Sequence, residues 1–344
     1  MKTFLRIIVA GMIIWTGLVI AAPVTGASIN NGAVILMYHR FGEGDFPSTN
    51  IRLDQFEAHL KELAKSKYTV LPVEKILAAL KKGETLPDRT VGITIDDGYR
   101  SIYAEAWPRL KKAGFPFTIF IATNGIDRGR QGMLSWDQIR EMHKAGVTIG
   151  AHTASHLHMP AADMGRNLNE LTKSNNRLAM ELQKIPSLFA YPYGETSSAI
   201  QKISRATGYQ FAFGQHSGVV NSTTDIFYVP RFAMNESFGH LNRFQLVVNA
   251  LPLPVSDLTP TDPLVTSVNP PLLGFTVTAE IGHLRRLSCF SSNEGKVSVE
   301  ILGAIRVEVR MTKVFGRGRT RVNCTLPGPG GRWRWFGTLF NVVR

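Results

Sequence analysis

The chain has 344 residues, 44% of them hydrophobic, with 31 Gly and a formal net charge of +13. That hydrophobic share excludes a disordered chain, and the length exceeds one typical single-core domain, so two folded units are expected. The charge is uneven: from Leu273 to Arg344 twelve Lys or Arg stand against four acidic residues, a bias suited to an anionic glycan or a membrane surface.

At the start, Lys2 and Arg6 precede an apolar run from Ile7 to Ala22, and small residues follow at Gly26 and Ala27. Residues 1–27 therefore read as a signal peptide, or as an N-terminal anchor if uncleaved, the run being short for a spanning helix. The folded part is then exported, periplasmic or extracellular and membrane-associated if anchored, and nucleic acid is not an expected partner.

From 31 to 250 short apolar runs alternate with amphipathic stretches. Strands are expected at Ala33 to Tyr38, Val91 to Ile95, Phe117 to Ile121, Thr148 to Ala151, Ser187 to Tyr191, Phe211 to Gly214 and Ile226 to Val229. Helical patterns fall between them at Leu53 to Lys65, Val73 to Lys82, Ser101 to Ala113, Ser135 to Ala145, Asn167 to Lys184 and Ser197 to Thr207. This β/α alternation predicts parallel strands wrapped by helices, as a barrel or an open sheet.

Residues 251–271 are rich in Pro, Ser and Thr and read as a linker. Beyond it, alternating runs with Gly turns at Gly295, Gly303 and Gly316 predict a small basic all-β domain over 272–344, sandwich-like. Export makes Cys289 and Cys324 a candidate disulfide within it. Trp333 and Trp335 alternate with Arg332 and Arg334, which would place two rings on one face of a strand and two cations on the other.

The chemistry concentrates at strand ends, where α/β folds carry their reactive groups. Asp96 and Asp97 close one run before Gly98, a residue that permits a turn, so both carboxylates can reach one site. One would ligate a metal while the other takes a proton from water. His152 and His156, four apart after another run, complete a two-His, one-carboxylate set with open coordination positions. Zn is the first choice for one divalent metal there, with Fe, Co or Ni also compatible. Read otherwise, the Asp pair would be a helix N-cap.

The segments TIDDGY, HTASH and YPYG, in this order, resemble the motifs of the polysaccharide deacetylase family, also called the NodB homology or carbohydrate esterase 4 family. VILMYHRF and LSWDQI resemble its exported poly-N-acetylglucosamine deacetylases, and the likeness covers about residues 33 to 235. The resemblance implies an irregular (β/α) barrel and hydrolysis of acetamide groups on an N-acetylated polysaccharide. It implies Asp96 as general base, Asp97, His152 and His156 as metal ligands, and the Tyr193 backbone amide as an oxyanion donor.

His216 is the nominated general acid, with His39 and His158 as competitors, while Tyr193, Trp136 and His39 are candidate substrate contacts. One position departs: where many relatives carry an Arg that pairs with the base, this chain has Ala190, and Arg231 is the candidate replacement. A peptidoglycan or chitin-oligosaccharide deacetylase, or an inactive glycan-binding module, are the alternative readings.

Overall fold

The computed structural model describes residues 28–343, so the leader or anchor expected over 1–27 lies outside the described residues. Among the described residues no helix is long and apolar enough to cross a membrane.

A curled, mainly parallel sheet organises the first unit. Strand Ala33–Tyr38 pairs in parallel with Thr90–Ile95, and the order continues through Thr118–Ile121, Thr148–Ala151, Leu188–Ala190 and Phe211–Phe213. These strands are buried along their length because apolar side chains cover both faces, as parallel sheets require. The helices Leu53–Leu63, Val73–Lys81, Trp107–Ala113, Trp136–Lys144, Met164–Leu182 and Ser198–Ala206 fall where the 3.6-residue pattern places them. A π-helical turn, Ile102–Ala106, precedes Trp107, next to Pro108, which has no N–H to donate.

Closure of the sheet differs from expectation. Ile226 to Val229 is not a strand; Val229 makes one bridge to Phe213, and after Pro230 the two-residue strand Phe232–Ala233 pairs with Leu36 and Met37. Proline cannot continue a ladder, so the closing segment runs as two separate contacts between the last strand and the first. Arg231 sits between those contacts and faces the barrel interior.

The segment 251–271 is not a free linker. Leu251–Pro252 pairs with Trp333–Val342, and Val255–Thr259 pairs with Leu273–Val277, so the C-terminal sheet begins at the end of the barrel. Pattern reading misses these strands because Pro interrupts them, and Pro is tolerated at sheet edges.

Eight strands form this mixed sheet among the described residues. Strand Gly295–Leu302 pairs through one half with Ser288–Ser291 and through the other with Arg306–Arg310. Both sides of that bend feed one core containing Phe275, Val309, Val322 and Phe340, which gives the sandwich-like character. Cys289 and Cys324 lie directly opposite each other, Cα–Cα 4.1 Å, and are disulfide-bonded.

The arginines expected to face outward are turned onto the barrel. Arg332 Nε donates to the Asn249 carbonyl at 2.6 Å, and Arg334 Nη1 donates to that of Pro252 at 3.0 Å. Backbone carbonyls at the junction need donors, and these guanidiniums supply them. Trp335 packs edge-on against Phe232 of the barrel, ring centroids 5.1 Å apart.

Candidate active site

Three strand ends deliver the motif residues to one mouth of the barrel. Asp96 follows Thr90–Ile95, His152 follows Thr148–Ala151, and Tyr193 follows Leu188–Ala190. The turns that aim them are strained: Asp97, Thr153, His156 and Tyr193 all have positive φ, between 59° and 75°, a region that costs a non-glycine residue about 1–3 kcal/mol. Gly98, at φ 89°, turns the chain away; a Cβ there would meet Ile121 Cδ1 at 3.0 Å.

Asp97 Oδ1 lies 3.3 Å from His152 Nε2 and 3.1 Å from His156 Nε2, and one ligand atom from each residue falls within 4.8 Å of the others. His152 Nδ1 meets the Ala190 carbonyl at 2.7 Å. Because that carbonyl only accepts, Nδ1 carries the proton and Nε2 presents its lone pair. Asp97 Oδ1 and His152 Nε2 are buried and make no hydrogen bond. Convergent buried acceptors without hydrogen-bond partners are costly, and a divalent cation relieves that cost, so the donor set fits the expected metal.

Asp96 is held differently. Arg231 grips it through Nη1–Oδ1 at 2.7 Å and Nη2–Oδ2 at 2.8 Å, with both side chains fully buried. Burial pushes the Asp96 carboxyl up, but the Arg231 guanidinium, with His152 and His39 acting the same way, holds the group below its usual value. Arg231 also donates to the Gly214 carbonyl and to Thr94 Oγ1, at 2.9 and 3.1 Å. The cation absent at Ala190 thus arrives from the closing segment, while the Ala190 backbone keeps a role in orienting His152.

The imidazoles separate clearly. His39 Nε2 lies 3.9 Å from Asp96 Oδ2, with its side chain 14% exposed at the mouth. His216 is displaced from the site it was expected to serve. Its ring leans on Tyr228 at 4.3 Å and lines a cavity at the junction with the C-terminal sheet. Its backbone carbonyl accepts from the Arg231 N–H. Burial pushes the His216 imidazole down to about 3, with Arg321 and Arg231 adding to the effect; burial lowers His39 as well, so position and not charge state separates the two. His158 stacks flat on Tyr193 at 3.8 Å, and its Nδ1 meets Glu195 at 2.7 Å.

Trp136 is not among the residues lining the groove beside the cluster. It opens a helix capped by Ser135, its indole N–H donates to Asp127 at 2.8 Å, and the Arg177 guanidinium covers its face at 4.3 Å. LSWDQI is accounted for by this anchoring of a helix N-terminus.

Beside the cluster opens a groove of about 560 Å3 whose lining includes Asp97, His156, Tyr99, Asn124, Arg130 and Met133. Arg40 forms another wall, its guanidinium between the Phe46 and Tyr99 rings at 3.9 and 3.5 Å. Sequence reading did not single out these walls. Arg40 follows His39 directly, but nothing in its spacing foretells the two rings that grip it.

Residues 83–212 match the family model described as polysaccharide deacetylase. The chain is 30% identical over 187 residues to the Bacillus subtilis protein YxkH, covering 54% of this chain and 66% of that protein. It is 27% identical over 238 residues to the poly-beta-1,6-N-acetyl-D-glucosamine N-deacetylase of Staphylococcus aureus, covering 61% of this chain and 82% of that one. Among solved structures, IcaB from Ammonifex degensii aligns at 27% identity and TM-score 0.56, over 64% of this chain and 98% of that one. The Streptococcus pyogenes deacetylase PplD, at 22% identity and TM-score 0.59 over 63% of this chain and 98% of that one, shares the fold. The chain belongs to the polysaccharide deacetylase family.

Proposed function

We propose that this protein removes acetyl groups from N-acetylglucosamine units of an exported β-1,6-linked polysaccharide, releasing acetate and leaving free amines. The observation that carries this reading is the juxtaposition of the Asp97, His152 and His156 cluster with the clamped Asp96 and with His39. The Staphylococcus aureus likeness supports the linkage, and the groove's volume of about 560 Å3 suits sugar units.

A divalent cation bound by Asp97, His152 and His156, with Zn the first candidate, supplies a Lewis acid for the acetyl carbonyl and lowers the pKa of a water. Asp96 is kept ionised by Arg231 and accepts the proton of the attacking water. Arg231, locked by Thr94 and Gly214, fixes the direction in which that carboxylate points. The Tyr193 backbone N–H meets the negative charge that develops on the acetyl oxygen. His39, at the mouth and 3.9 Å from Asp96, donates the proton that lets the sugar amine leave. It takes over the acid role nominated for His216.

Acetate release from β-1,6-N-acetylglucosamine oligomers tests the reading, with chelator and with readded cation. Asp96→Asn and His152→Ala are expected to lower turnover at least ~100-fold, with His152→Ala also losing cation binding by calorimetry. Turnover that survives chelator and both substitutions would sink the mechanism. Cation binding without acetate release would favour a glycan-binding module.

A further inference from the structure

Tyr193 has φ 60°, and a non-glycine residue stays in that region only where its surroundings over-determine it. Here much of the restraint comes from the C-terminal sheet. Arg319, on strand Gly318–Pro327, donates through Nη1 to the Tyr193 carbonyl at 2.8 Å and to Gln215 Oε1 at 3.3 Å. Its Nε lies 3.8 Å from Glu195 Oε1.

Neighbouring groups hold the same loop. Asn341 Nδ2 donates to the Thr196 carbonyl at 2.9 Å. The Tyr228 hydroxyl lies 3.2 Å from the Gly194 carbonyl and 3.1 Å from that of Leu339. Between these anchors Gly194 is pressed so closely on Gln215 that a Cβ would stand 2.4 Å from its backbone nitrogen.

We infer that Arg319 is a positioning residue for deacetylation: the C-terminal sheet reaches through this guanidinium to hold the turn that presents the Tyr193 amide to the developing oxyanion. This rests on the deacetylase reading. The Tyr193 N–H shares its peptide plane with the Pro192 carbonyl, which accepts from the Glu195 N–H at 3.1 Å, and Arg319 holds the next plane through the Tyr193 carbonyl, so both planes flanking Tyr193 are fixed. The Tyr193 N–H therefore has little freedom to swing away from the mouth. A planar guanidinium reaches several acceptors at set angles, which a lysine ammonium does not reproduce. An oxyanion donor acts through where it points, and a displacement of about 1 Å can cost ~100-fold in rate.

The test uses the full, cation-loaded chain and reads two quantities: acetate release against concentration of a β-1,6-N-acetylglucosamine oligomer, and amide hydrogen exchange over 191–197. For Arg319→Ala we expect kcat to fall ~10- to 100-fold with KM little changed. Exchange at 191–197 should quicken while the thermal midpoint stays near that of wild type. Millimolar guanidinium should restore part of kcat, and Arg319→Lys should not. Arg310→Ala, in the same sheet but paired with Glu300 and Glu308 on its surface, should match wild type in every readout.

Wild-type kcat in Arg319→Ala overturns the inference, as does unchanged exchange at 191–197. So does a loss of kcat that tracks the thermal midpoint and is not rescued, which would make Arg319 a domain-docking residue only. A wild-type chain that releases no acetate overturns the deacetylase reading and the catalytic consequence with it, while the exchange arm still decides whether Arg319 holds the loop.

Discussion

The Asp96–Arg231 pair shows how one residue can serve reactivity while straining the fold. Two fully buried charges stabilise a structure only when both are present, and removing one leaves the other uncompensated at about 3–5 kcal/mol. Arg231→Ala is therefore expected to cost that much in urea unfolding, and Arg231→Met with Asp96→Asn to recover most of it while remaining inactive. An Arg231→Ala protein as stable as wild type would mean that the clamp is not closed in solution. A second contrast separates the two imidazoles: His39→Asn should lower kcat ~100-fold or more, whereas His216→Gln should leave kcat near wild type. The reverse result would return the acid role to His216. Sequence spacing put both histidines just after apolar runs and nominated His216, with nothing in the spacing to show which ring points into the mouth. Side-chain direction ranked them, and that direction depends on Tyr228 and Arg231 packing around His216. Arg231 itself was legible, because an absent cation at Ala190 invites a search of other strand ends.

Among the elements, the parallel strands and six helices that build the barrel mouth were legible because each carries a long apolar period. Short or interrupted pieces were not: Phe232–Ala233 and Leu251–Pro252 pair over two residues each and gain their stability from the strands they join. The helix Leu241–Val248 was also missed. It packs against Leu53–Leu63 through Phe244, whose ring stacks on His59 at 3.8 Å. His59 is completely buried, with Nδ1 2.9 Å from the Tyr38 hydroxyl and Nε2 2.8 Å from the Gly239 carbonyl. Burial is the main cause that pushes its imidazole down to about 4, and the Arg243 charge acts the same way against the opposing Gly239 bond. A histidine with a depressed folded pKa contributes stability that is complete above its unfolded value near 6.5. That contribution is lost as pH falls from there to about 4, at a scale of about 3 kcal/mol. Urea midpoints should therefore fall more steeply between pH 6.5 and 4 in wild type than in His59→Leu. Parallel pH profiles for the two proteins would remove His59 as the cause.

On the scale of the whole molecule, the two units behave as one because the strand pair Gly318–Pro327 and Trp333–Val342 docks on the loops that carry the third motif. Composition pointed elsewhere: a +13 chain with a basic C-terminal fifth suggested an outward cationic face. Arg319, Arg321, Arg332 and Arg334 instead donate to carbonyls at the junction. Charge counts carry no direction, which is why this use of the arginines was not legible. The approach is tight at Gly337, where a Cβ would clash with the Ser217 carbonyl oxygen and stand 2.9 Å from Asn323 Oδ1. No rotamer relieves a clash with backbone, so Gly337→Ala must part the sheet from the barrel locally, at about 1–3 kcal/mol as for other overpacked interfaces. The expected outcome is a lower thermal midpoint and faster amide exchange at 214–218 and at 193–196, with the disulfide-stapled interior of the sheet unaffected. Gly295→Ala gives the contrast: nothing lies within 4 Å of a Cβ there, but φ is 79°, so its cost is local strain with no change in exchange at the junction. Equal exchange at 193–196 in Gly337→Ala and wild type would show that the docking of these strands does not hold the third-motif loop. Faster exchange there would tie the stability of the junction directly to the order of the catalytic mouth.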